Sequence, residues 1–175
     1  MKLFLFSPIF LIVYLVIIFF SFGITDSWSA TYRKLKGWKV LFFTLALWLG
    51  AAAPLMILGL NASQNSQFQF LWFFAGAGIA FTGAAPVYWI TRKDRKLSTE
   101  NKIHIYSATG SVIFICAAII LTLPGWWNYM LVGLFLAFAG SQVISKTKLP
   151  NRTYWIETAI ALVSFIALLI NSLLL

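Results

Sequence analysis

The sequence predicts an all-α polytopic transmembrane bundle with six membrane-spanning helices and both termini on the outer side. Three observations predict it. Of 175 residues, 61% are apolar and 10% charged, whereas a soluble domain carries about 25% charged residues to meet water. Such a chain is also too hydrophobic for disorder, and lipid is the remaining solvent. Six segments are close to the roughly 20 apolar residues that cross a hydrocarbon core. Finally, twelve of the 13 Lys and Arg residues lie in three short stretches between apolar segments.

The spans fall at about 3–22, 40–60, 70–90, 103–123, 126–144 and 154–174. The first contains no charge. It exceeds the roughly 7–15 apolar residues of a signal-peptide core, so it reads as a retained helix. Arg33, Lys34, Lys36 and Lys39 follow it; Arg92, Lys93, Arg95, Lys96 and Lys102 follow the third span; Lys146, Lys148 and Arg152 follow the fifth. The stretches 61–69 and 124–125 carry no Lys or Arg. Cationic loops resist translocation, so loops one, three and five are expected to be cytoplasmic. Membrane strands would alternate apolar and polar residues, and these segments do not. No loop approaches the roughly 50 residues of a separate soluble domain, so 1–175 reads as one transmembrane domain.

Within the first loop, Asp26 and Ser27 are N-cap residue types. Trp28, Thr31, Tyr32 and Leu35 then recur at helical spacing opposite Arg33, Lys34 and Lys36. This predicts a short amphipathic interfacial segment at about 26–38. The third span is rich in small residues, and Gly76, Ala80 and Ala84 share one face, which predicts a central, closely packed helix. Gly133, Ala137 and Ser141 predict a similar seam on the fifth. Pro8, Pro54 and Pro86 each remove a helical hydrogen bond.

Ionisable groups at membrane depth are costly and therefore candidates for function. Asp26, Arg92, His104 and Glu157 all fall at the cytoplasmic ends of spans. His104, Ser107 and Ser111 form a polar stripe on the fourth span, with Ala118 and Thr122 on the same face. Glu157, Ala161, Ser164 and Asn171 form another on the sixth. Both stripes are expected to face inward. Two readings of these residues follow. As a hydrolase, His104 would be general base, Glu157 or Asp26 would orient it, and Ser107 would be nucleophile. As a small transporter or channel, Ser111, Thr122, Ser164, Asn171 and Arg92 would line a site between the fourth and sixth helices. Against both stands a structural reading, in which such groups cap helices and bond their own backbone.

Other chemistry is poorly provided for. A catalytic zinc site takes about three protein ligands. The chain has one His, and its one cysteine, Cys116, lies roughly 18 Å along the helix from His104. No nucleophile elbow, phosphate loop, haem ligand pair or iron–sulfur spacing is present. No metal and no cofactor are expected. The net charge of +9 is confined to the loops where topology requires it, so nucleic acid is not expected as a partner. Membrane lipids, another membrane protein or a second copy of this chain are.

Two stretches carry a resemblance. One is Asp26-Ser27-Trp28-Ser29-Ala30-Thr31-Tyr32-Arg33. The other is Gly76-Ala77-Gly78 through Gly83-Ala84-Ala85-Pro86, then Lys102-Ile103-His104-Ile105-Tyr106-Ser107-Ala108. Together they resemble uncharacterised six-helix bacterial membrane proteins, distantly similar in layout to the DRAM/Sfk-type family. These share a Ser-rich loop after the first helix and a His opening a middle helix. The resemblance covers the first two thirds of the chain. It implies a six-helix bundle in the bacterial inner membrane and no established activity. The single His departs from the superfamily that includes alkaline ceramidases, and that metal site does not carry over. The function expected is binding of lipid or of a partner membrane protein, with no identifiable catalytic set.

Overall fold

The computed structural model describes residues 8–25, 27–28, 35, 40–60, 67–84, 99–144 and 150–174. Six helices occupy them. They are α1 (Pro8–Phe22), α2 (Val40–Leu47, Trp48–Ala52 and Ala53–Leu60), α3 (Phe70–Ala84), α4 (Thr99–Thr122), α5 (Trp126–Ile144) and α6 (Arg152–Leu174). Four are long and apolar enough to cross a membrane: Leu41–Leu60, Lys102–Thr122, Trp126–Ile144 and Arg152–Ile170. The described parts of α1 and α3 have 15 residues each, about 22 Å of helix against a hydrocarbon core of about 30 Å.

Local chemistry sets the boundaries. Gly23, with φ 68°, closes α1 by donating its N–H to Phe19 O at 2.8 Å. A glycine adopts this left-handed position without the Cβ clash. Gly125, with φ 103°, turns the chain between α4 and α5. Asn151, with φ 55°, immediately precedes α6. Both α4 and α6 begin earlier than their apolar runs, because backbone hydrogen bonding continues through polar flanks that hydropathy does not register.

Pro54 leaves its mark on α2. It has no N–H to offer Gly50 O, and its ring crowds that carbonyl. The ladder widens there: Trp48–Ala52 is a π turn, with Ala53 N–H bonded to Trp48 O. The helix passes its proline without breaking, as π turns permit.

Two apolar cores share Ile79 of α3. One joins Leu55, Trp72, Ala75, Ile119, Phe135 and Ala167, from α2 to α6. The other joins Leu11, Tyr14, Ile18, Trp28, Phe43 and Leu47, with Leu35, Tyr154 and Ala161 against it. The tightest packing runs between α3 and its neighbours α4 and α2. The small residues of α3 make this approach possible. A Cβ at Gly76 would stand 2.5 Å from Ala52 O and 2.7 Å from Met56 Cγ, and one at Gly78 would overlap Ser111 Oγ.

The predicted seam on α5 is placed differently. Gly133, Ala137 and Ser141 are exposed, and a Cβ at Gly133 would meet nothing within 4 Å. The inward face of α5 carries Asn128, Val132, Phe135 and Gln142 instead. Size alone did not reveal which face turns inward. The outer surface of the bundle is apolar, with Phe20, Leu60, Phe81, Leu134 and Ile144 exposed.

Candidate functional site

The polar residues of α4 are organised by α3. Thr82 lies in the last described turn of α3. His104, 4% exposed, reaches that turn: Nδ1 lies 2.9 Å from Thr82 O. A carbonyl oxygen only accepts, so Nδ1 carries the hydrogen. Nearby carbonyls of α3 draw donors from α2. Thr44 Oγ1 donates to Gly83 O at 3.0 Å, and Trp48 Nε1 to Ala80 O at 3.0 Å. Trp48 is the residue at which the π turn begins. Where no water reaches, such side chains are what satisfy main-chain oxygens.

The rest of the α4 stripe follows the same direction. Ser111 Oγ donates to Ser107 O at 2.7 Å and packs on Gly78. Thr122 Oγ1 donates to Ala118 O at 2.7 Å and accepts from Trp72 Nε1 at 2.8 Å. Trp72 has no exposed surface. The predicted α4 stripe is therefore a seam against α3. Ser107 Oγ donates to Ile103 O, so its proton is directed away from the His104 ring.

The α6 stripe has other partners. Glu157 Oε2 accepts the backbone N–H of Trp28 at 2.5 Å. The Trp28 indole donates to Thr158 Oγ1 at 3.2 Å. Asn151 Nδ2 donates to Ile24 O at 3.3 Å. The segment after α1 is thus fastened along the first turns of α6, with Trp28 buried among α1 and α2 side chains. Further along, Ser164 Oγ bonds back to Ile160 O at 2.6 Å. Asp26, Arg92 and most of the amphipathic segment 26–38 lie outside the described residues, as does the Asn171 side chain.

Sequence reasoning missed Thr44, Trp48 and Thr82, because a side chain bonding a distant carbonyl leaves no local pattern. It also missed two buried amides. Asn128 Nδ2 donates to Pro124 O at 2.7 Å, closing the α4–α5 turn. Gln142 Nε2 donates to Ser141 Oγ at 3.3 Å, and the Gln142 main-chain oxygen accepts from Arg152 Nη1 of α6 at 3.4 Å. Among the described residues no three His, Cys, Asp or Glu side chains gather as metal ligands would.

Fold and site define a helical protein with four helices long and apolar enough to cross a membrane, whose polar side chains bond helix backbones. No family model, curated protein or solved structure matches the chain.

Proposed function

We propose that the chain is an integral membrane protein of the cell membrane, crossing it six times with both termini outside. Its function on this reading is to bind lipid or a partner membrane protein. The layout it resembles, that of the six-helix bacterial proteins of DRAM/Sfk type, agrees with this reading. One observation carries it: the hydroxyls of Ser107, Ser111, Thr122 and Ser164 each bond a backbone oxygen one turn back. These hydroxyls are engaged with the backbone of their own helices, which supports a structural role for them over a reaction centre. The apolar outer surface supports lipid as the surrounding phase. Gentle detergent extraction followed by native mass spectrometry tests the reading. Retained lipid or a stoichiometric partner is the expected result. A bare monomer would overturn it.

A second reading, a small transporter or channel, draws on the π turn of α2. Its Trp48 and the nearby Thr44 meet the α3 backbone beside the His104–Thr82 bond. Irregular backbone at membrane depth accompanies transport sites. Such a site would involve α2, α3 and α4 as well as the α4–α6 interface. Ion or solute flux into proteoliposomes that Thr44→Val abolishes would favour this reading.

A further inference from the structure

We infer that Ile24, Thr25, Ser27 and Trp28 form a strap that closes the seam between α1 and α6 and opens as a unit while the helices stay intact. The inference goes beyond the binding function above and does not depend on it.

The strap is irregular backbone held inside the protein. Thr25, Ser27 and Trp28 are all buried, and none of them is helical. Connecting segments ordinarily run over the surface, because a buried loop carries main-chain groups that need partners. Here α6 and the residue before it supply them. Glu157 accepts the Trp28 N–H, Thr158 accepts from the Trp28 indole, and Asn151 donates to Ile24 O. Glu157 lies five residues beyond Arg152, the first residue of α6, or about 8 Å along the axis. Trp28 is therefore held well inside the end of the helix. Its ring joins the core of Tyr14, Ile18, Phe43, Ala46 and Leu47 from α1 and α2, with Tyr154 and Ala161 of α6 against it. One side chain thus closes the seam among three helices.

The bonding pattern lets the strap leave without melting a helix. Thr25 Oγ1 donates to Ser27 O at 2.7 Å, a bond inside the strap that travels with it. Thr158 Oγ1 donates to Tyr154 O at 2.8 Å, so the hydroxyl keeps its own helical partner when the indole departs. The seam is flanked by two left-handed residues, Gly23 with φ 68° at the end of α1 and Asn151 with φ 55° before α6. A Cβ at Gly23 would meet nothing within 4 Å, so this glycine serves backbone conformation and not close packing. Residues at the ends of elements are where hinges absorb backbone rotation. The bonds described across the seam are made by side chains and form no ladder. A few such contacts open together at a lower free energy than global unfolding.

The test follows labelling by a maleimide in the full chain in detergent, with Cys116 replaced by Ala. Ala46→Cys reports on the core that Trp28 enters, and Ala118→Cys on the other core; both alanines are buried. Trp28→Phe and Thr158→Val remove the indole bond from opposite sides and leave the ring position filled. Each should speed labelling of Ala46→Cys by about 10-fold, the effect of losing roughly one buried hydrogen bond. Labelling of Ala118→Cys should change by less than ~2-fold, because the strap opens without the rest of the bundle. The two changes combined should accelerate Ala46→Cys little more than either alone, since they delete the same bond. Equal acceleration at both probes would mean that the strap contacts stabilise the whole bundle, and would overturn the inference. Unchanged labelling of Ala46→Cys in both variants would overturn it as well, because the strap would then not open on its own.

Discussion

His104 and Thr82 are joined by a hydrogen bond of 2.9 Å from an imidazole Nδ1 to a main-chain oxygen. The oxygen lies in the last described turn of α3. The histidine that the sequence marks as a possible general base is thereby fixed to the backbone of the neighbouring helix. An unmet buried carbonyl costs about 1–3 kcal/mol, and the bond removes that penalty.

His104→Ala is therefore expected to destabilise the detergent-solubilised protein by about 1–3 kcal/mol. His104→Gln, whose side-chain amide can still donate to Thr82 O, should cost less. Thermal unfolding compares the two variants, and equal losses would mean that the bond to Thr82 does not contribute.

Gly78 and Ser111 bring α3 against α4. Gly78→Val should destabilise by about 1–3 kcal/mol through overpacking. Adding Ser111→Ala removes the obstructing Oγ and should recover part of the loss. Gly133→Ala, facing open space, serves as the control and should leave the melting temperature unchanged or slightly raised.

Trp28 offers two separate bonds to α6, one from its backbone and one from its indole. Trp28→Phe keeps the ring burial and the backbone bond, and should cost about 1 kcal/mol. Trp28→Ala empties the pocket and should cost about 3–5 kcal/mol. Glu157→Gln retains an oxygen for the Trp28 N–H and should be milder than Glu157→Ala. Equal melting temperatures for the two Glu157 variants would show that the acceptor does not matter.

Orientation is checked in intact cells with Cys116 replaced by Ala. Asn65→Cys should react with an impermeant thiol reagent, and Asp94→Cys should be protected. The reverse pattern would place the basic loops outside, against the charge rule.

Composition and periodicity determined the helical class, the positions of the apolar segments and the confinement of twelve cations to three stretches. These follow from the sequence because the solvent preference of a segment is a sum over its own residues. The turn at Pro124-Gly125 and the extent of α5 were equally legible, since turn chemistry acts within a few residues. Only the tertiary structure decided where each polar stripe points. Periodicity places His104, Ser111 and Thr122 on one face, but it does not say which helix that face meets. Packing chose α3, because Gly78 leaves room for Ser111 and Thr82 O accepts from His104. It turned Gly133 outward and Phe135 inward, a choice between faces of similar hydropathy. It also took Trp28 into the core and joined it to Glu157, 129 residues away. A bond between distant groups depends on how helices dock, and docking in an apolar medium is set by shape and by the few polar groups that must be satisfied.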